Sequence, residues 1–226
     1  MLYFRNREQA GRQLSLELVK YSSQNPVVFG IPRGGVPVAF EVARSLNVPV
    51  NVLVTQKLGV PGHEELPFGA IAEDDARFVD SDVVRSARVS PGESEMVIRA
   101  AVLKVAQRAR LYRKGKPLPS LRNRTVVLVD DGIAAGAEVR AAILSLRKMA
   151  PRQLIVAAPA ISESTFDVLR PQVDKLVTLH ATMPFLTTGH IYEKYPEVED
   201  EEVLSLLKIS ENFPYRAVPD ELPPAA

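Results

Sequence analysis

A chain of 226 residues, 46% hydrophobic and 24% charged, can bury one sizeable core and is short for two. Its 28 basic and 27 acidic residues leave a net charge of +1, which excludes a global field drawing it to nucleic acid or to an anionic membrane. Absence of cysteine excludes disulfides, thiolate catalysis and cysteine zinc sites, and no stretch approaches the roughly 20 apolar residues that span a bilayer. The opening MLYFRNREQAGRQLSLELVKY carries Glu8 and Glu17 without a long apolar run, unlike a signal or transit peptide, so a cytoplasmic location is expected.

Ala10, Leu14, Leu18 and Tyr21 recur at helical spacing and predict an amphipathic first helix ending before Asn25-Pro26. The next segment, PVVFGIPRGGVPVAFEVARSLNVPVNVLVTQKLG, reads as a buried strand over 27–31, a Gly-rich turn, a helix to about Leu46 and a second strand over 50–55. Such near-continuous apolar strands predict a parallel sheet covered on both faces. Residues 59–67, GVPGHEELP, read as a loop punctuated by glycine and proline, and GAIAEDDARFVD as a strand, a turn and a return strand. Ser90-Pro91-Gly92-Glu93 is a capping box with proline at the first helical position, predicting a helix over 91–113.

TVVLVDDG is the next buried strand, and a helix follows over about 136–149. QLIVAAPAI and KLVTL read as strands, SESTFDVLR between them as a short helix, 181–200 as loop, and EDEEVLSLLK as a terminal helix with its acids at the N-terminal end. The Pro-rich stretch from Ser210 reads as a poorly ordered tail. Alternating β and α elements define a three-layer α/β domain with ligands at the carboxyl ends of the strands, so function is sought after Ile31, Thr55 and Val129.

The apolar run Val126 to Val129 leads directly into Asp130-Asp131, a Gly/Ala-rich loop and a helix. Backbone N–H groups of such a loop converge on one spot and suit a phosphate, while the two carboxylates can accept hydrogen bonds from the adjacent hydroxyls of a sugar. The stretch resembles the ribose-5-phosphate motif of type I phosphoribosyltransferases. "FRNREQAG", "GIPRGGVPVAFEVA", "QKLGVPGHEELPFGAIAE", "ARLYRKG" and "YEKYPEVEDEEV" extend the resemblance, over most of residues 4–207, to the predicted-phosphoribosyltransferase family of bacteria and archaea.

That resemblance implies a three-layer, parallel-sheet, Rossmann-like type I phosphoribosyltransferase domain over 1–209, with a helical insertion near 90–114, a C-terminal helix, and a tail over 210–226. It implies that Asp130 and Asp131 hold the ribose hydroxyls of phosphoribosyl pyrophosphate (PRPP), that Gly132, Ile133, Ala134, Ala135, Gly136, Ala137 and Glu138 wrap its 5-phosphate, and that Arg33, Gly34 and Gly35 form the pyrophosphate loop, with Lys57 adding a positive charge. Mg2+ is the implied cofactor, held mainly by PRPP and by Asp130 or Asp131 through water. The implied reaction, a step of nucleotide metabolism, transfers phosphoribosyl from PRPP to a nitrogen acceptor, a nucleobase-like heterocycle, and releases pyrophosphate.

Three positions of the implied site depart from the family pattern, and Asp74-Asp75 replaces a glycine-like turn away from it. Ala135 and Glu138 stand where threonines donate to the phosphate, and Gln56 stands where arginine precedes the lysine. Glu138 has three orientations open to it: toward the phosphate, outward, or folded back into the anion site. These departures keep a second reading in view, a catalytically silent descendant that binds a nucleotide or anion and regulates or scaffolds.

His63-Glu64-Glu65 lacks the His-Glu-x-x-His spacing of a zincin, so no structural metal is expected there. Residues 108–124 hold seven basic residues and no acid; a solvated surface is the simpler reading, and a nucleic-acid patch stays open. Phe185, Tyr192 and Tyr195 suit either a hood over a base or core packing. Dimers are common for the fold, and a homodimer is expected by that analogy alone.

Overall fold

The computed structural model describes residues 3–182, 185 and 187–213. In chain order the elements are α1 (Arg7–Leu18, continued by a 3-10 turn), β1 (Val27–Gly30), α2 (Gly35–Leu46), β2 (Val50–Val52), β3 (Thr55–Val60), β4 (His63–Ala72), β5 (Ala76–Val79), α3 (Ser81–Ser86) and α4 (Pro91–Arg113). They are followed by β6 (Thr125–Val129), α5 (Ala137–Lys148), β7 (Gln153–Ser162), α6 (Glu163–Leu169), β8 (Lys175–Thr182) and α7 (Asp200–Ser210).

Five strands form a parallel sheet in the order β2-β1-β6-β7-β8. Alternation along β6 explains the unbroken apolar run: Val126 and Leu128 face a core with Val139, Ile143 and Leu146 of α5, whereas Val127 and Val129 face Leu14 and Leu18 of α1 and Val38 and Val42 of α2. Helices on both faces make the three-layer α/β architecture that the alternation of elements predicts.

The strand expected over 50–55 divides. Val50–Val52 belong to the parallel sheet, and Thr55 starts a separate antiparallel sheet, β3-β4-β5. The loop expected over 59–67 is accordingly mostly hairpin. Its glycines and prolines are absorbed at a register irregularity around Gly59, where a Cβ would meet the Glu64 carbonyl oxygen at 2.6 Å, and in the turn at Pro61-Gly62. Punctuation residues mark a bulge and a tight turn as readily as a loop.

Helix α4 has the predicted capping box, Ser90 accepting from the Glu93 amide and Glu93 from the Ser90 amide. Its inner face, Ile98, Ala101, Val105 and Tyr112, packs with Phe68 and Ile71 of β4 and Val203 of α7. Two basic residues of the 108–124 stretch are turned inward: Arg113 pairs with Glu73, its Nη1 at 2.7 Å, and Arg124 donates to the Asn25 carbonyl at 2.9 Å. Of the tail expected over 210–226, Ser210 closes α7, and residues 214–226 lie outside the described residues. Among those described, no helix is long and apolar enough to cross a membrane.

Candidate active site

Register brings the site together. Gly30 of β1 lies opposite Val129 of β6, so the two strands end level and their following loops emerge side by side. The Ile31 amide donates to the Val129 carbonyl at 3.0 Å, locking the start of one loop to the end of the other strand. Pro32, Arg33 and Gly34, joined through a cis Pro32-Arg33 peptide, therefore lie beside Asp130 and Asp131. All five line one cavity of about 690 Å3, shared with residues 132–138, Lys57, Arg7, Tyr195 and Glu197.

Of the residues singled out from sequence, Arg33, Gly34, Lys57, Asp130, Asp131 and Gly132 through Glu138 meet in this cavity. Gly35 does not line it; it is buried as the first residue of α2. Gly34 is required by a neighbour within the chain, since a Cβ there would fall against the Asp131 carboxylate. Close backbone approach at the PRGG turn thus serves the acidic pair as well as any ligand.

The loop after β6 is pinned from behind. Ile133 donates to the Ala160 carbonyl at 3.0 Å and its own carbonyl accepts from Ser162 at 3.0 Å, while the Ala134 carbonyl accepts from the hydroxyls of Ser162 and Thr165. Gly136 precedes α5 at φ 74°, a left-handed conformation suited to glycine, and offers no side-chain cap. The first-turn amides of α5 therefore have no partner from their own helix and open toward the cavity, the arrangement that binds anions.

Glu138 takes none of its three expected orientations in pure form. Its carboxylate lines the cavity but is drawn sideways, accepting from the Thr55 hydroxyl at 3.1 Å and pairing with Lys57 Nζ at 3.6 Å. Lys57 is thereby half-neutralised as a ligand for an incoming anion. Gln56 donates its side-chain amide to the Lys57 carbonyl at 3.3 Å.

The two aspartates have opposite surroundings. Asp131 is buried, its Oδ2 accepting from Arg7 Nε at 2.7 Å and from the Tyr195 hydroxyl at 3.0 Å; Tyr192 donates to its backbone carbonyl at 2.6 Å. Burial works against the charge of Arg7, but Asp131 holds the guanidinium above its ordinary pKa. Arg7 also stacks 3.8 Å from the Tyr195 ring centre and donates to the Pro196 carbonyl at 2.7 Å. Asp130 has no such cation against it among the described residues: burial, then the negative charges of Asp131 and Glu138, push its carboxyl well above the usual carboxylate range. Arg33, on the turn beside them, is held by Glu197 and by Glu199, the latter at 3.0 Å.

Arg7, Thr55, Glu197 and Glu199 have no role assigned from sequence, although all but Thr55 sit in stretches that carry the family resemblance. A usable signal exists for Arg7. It opens a helix, where the dipole favours an acid, and a cation in that position points to a tertiary partner. Tyr192 and Tyr195 stack on each other at 5.3 Å between ring centres and spend both hydroxyls on Asp131, combining core packing with a place at the site.

A strand ending in two acids, an amide-lined loop opening a helix, and a neighbouring Arg-Gly turn meet at the carboxyl ends of the strands of a three-layer α/β fold. Residues 3–172 match the family described as Phosphoribosyl transferase domain, and the chain belongs to that family. It is 39% identical over 207 residues to proteins from two strains of Mycobacterium tuberculosis named "Putative phosphoribosyl transferase". Those alignments cover 92% of this chain and 47% of each relative, so the chain spans about half the length of the curated relatives it matches. The crystal structure of TT1426 from Thermus thermophilus superposes with a TM-score of 0.75 at 33% identity, covering 92% of this chain and 99% of that one.

Proposed function

We propose that this chain transfers a phosphoribosyl group from PRPP to a nitrogen acceptor, with residues 1–209 working as one unit. The observation that carries the reading is the placement of Asp130 and Asp131 between the Arg33 turn and the loop 132–138 in a single cavity. In this reading the ribose hydroxyls donate to Asp131 and contact Asp130, the loop amides take the 5-phosphate, and Arg33 with Lys57 receives the diphosphate. The bond from ribose C1 to the diphosphate oxygen breaks, the acceptor nitrogen forms the new bond to C1, and pyrophosphate leaves with the electron pair. Charge builds up on the sugar as C1 takes oxocarbenium character. Asp131, fixed by Arg7 and Tyr195, presents a negative charge that needs no reorganisation as the sugar turns positive.

A hard divalent cation fits the oxygen donors here. Among the described residues Asp130 has no cationic partner at contact distance, and a metal ion would relieve the crowding of carboxylates around it. Asp130 and Asp131 would hold Mg2+ together with the oxygens of PRPP, and the ion would supply neutralisation of the leaving diphosphate. A planar heterocycle is the acceptor in this reading, with Tyr195 the aromatic side chain that lines the cavity among the described residues.

The Glu138 carboxylate within the anion loop favours a second reading, a descendant that binds a nucleotide or anion without turnover. Calorimetric titration of Mg-PRPP into the wild type and into the Ala135→Thr, Glu138→Thr double variant separates them. Micromolar binding by the wild type, followed by turnover with a nucleobase panel, supports transfer. Binding only after the double change supports the silent descendant.

A further inference from the structure

The segment from Tyr192 to Glu199 reaches both halves of the cavity. At one end Tyr195 holds Asp131; further along, Glu197 and Glu199 together hold the guanidinium of Arg33. Glu138 claims Lys57 and leaves Arg33 to the diphosphate side, yet a carboxylate already accepts from each terminal nitrogen of Arg33. An anion entering the cavity has to compete with both acids for those nitrogens.

Two features make the contact exchangeable. The Glu197 and Glu199 side chains are 68% and 62% exposed, so water screens the pairs and rehydrates the acids once they are released. Arg33 itself lines the cavity and sits on the turn packed against Asp131, so its guanidinium needs only a side-chain rotation, with the backbone kept, to change partners. By contrast the Arg7-Asp131 pair on the other side is buried and stays in place.

We propose that Glu197 and Glu199 are specificity-determining residues that act as an internal substitute for diphosphate on Arg33, to be exchanged for the incoming ligand. The exchange sets a threshold. A ligand that offers several oxygens in the geometry of a diphosphate replaces both carboxylates at once, whereas a single phosphate competes poorly for a fork already doubly occupied. Release of the two acids also frees the segment ahead of α7 to shift at the cavity mouth. The proposal rests on the reading of the site as one for PRPP.

The test is calorimetric titration of inorganic pyrophosphate and of inorganic phosphate, both with magnesium, into the wild type, E197Q/E199Q and E201Q/E202Q. The last variant removes the same charge from the exposed first turn of α7, where neither residue lines the cavity or contacts Arg33. The expected result is about fivefold tighter pyrophosphate binding in E197Q/E199Q, as befits two solvent-screened pairs, with less than twofold change in E201Q/E202Q. Phosphate binding, weak in the wild type, should become measurable in E197Q/E199Q alone. Equal tightening in both double variants would reduce the acids to a general field effect and overturn the exchange. Pyrophosphate binding of the same strength in all three proteins would overturn it too, while leaving the PRPP reading standing. Absence of pyrophosphate binding in every protein, with no PRPP binding either, would overturn both.

Discussion

The guanidinium of Arg7, on the first turn of α1, meets the carboxylate of Asp131, just past the end of β6, at 2.7 Å with each side chain only 8% exposed. Residues far apart in the chain are thereby joined at the floor of the cavity. Removing one partner leaves the other as an uncompensated buried charge, which typically costs about 3–5 kcal/mol. Arg7→Met should therefore lower unfolding free energy by about that amount in urea titrations and abolish PRPP binding, because Asp131 loses its anchor. Arg7→Lys keeps the charge but loses the fork and the stacking on Tyr195, and should fall between the two.

The acidic pair differs internally, and pH exposes the difference. Asp130 holds its proton more tightly in the folded chain than the ordinary carboxylate value of 3.8. A raised folded value means that its contribution to stability is fully present below that ordinary value and is lost as pH rises through the folded one. Asp130→Asn cannot titrate and escapes the loss. The variant should gain stability relative to wild type as pH rises above about 4, by up to about 1.4 kcal/mol per pH unit until Asp130 is ionised. Paired chemical denaturation curves from pH 4 to pH 8 measure this; a gap that narrows with rising pH would mean that Asp130 is stabilised as the carboxylate.

The fold is legible where a single physical signal acts alone. Val126 to Val129 announce a buried parallel strand, and Ser90 with Glu93 a capped helix, because burial and capping are read from adjacent residues. Residues 59–67 read as loop because glycine and proline have the same local appearance in a bulged hairpin, and only the pairing of β4 with β3 and β5 distinguishes the two. The site divides in the same way. Asp130, Asp131 and the 132–138 loop are contiguous and stand out, whereas Arg7 and Glu197 reach the cavity, and Glu199 reaches Arg33, only through tertiary packing, which no spacing in the sequence encodes.

Packing also dictates the outcome at Gly34. Any Cβ there would collide with the Asp131 carboxylate, whose other side is held by Arg7 and Tyr195. Gly34→Ala should cost about 2–3 kcal/mol in stability, in the range of a substitution that breaks a buried polar cluster. It should also remove pyrophosphate and PRPP binding together, since the displaced group and the turn belong to both halves of the cavity. A variant with wild-type melting temperature and binding would show that the turn tolerates a side chain by moving away from Asp131.

Glu138 is the residue whose replacement should improve the site. It adds its carboxylate to those of Asp130 and Asp131 beside the loop, pushes the Asp130 carboxyl further above its ordinary range, and pairs with Lys57. Glu138→Gln keeps an acceptor for the Thr55 hydroxyl while removing the charge, so the loop should hold its shape. Even at about 6 Å and an effective dielectric of about 20, one carboxylate opposes one phosphate charge by about 3 kcal/mol, of which Lys57 offsets a part in the wild type. Ribose 5-phosphate should accordingly bind at least tenfold more tightly to the variant, with a smaller gain at high salt, where the repulsion is already screened. The same change should shift the pH response of Asp130 downward, visible as a smaller stability difference between Glu138→Gln and the Glu138→Gln, Asp130→Asn double variant than between wild type and Asp130→Asn. If ribose 5-phosphate binds the variant no better while this second shift is seen, the charge of Glu138 reaches Asp130 but lies clear of the phosphate, and the loop amides alone would set the affinity.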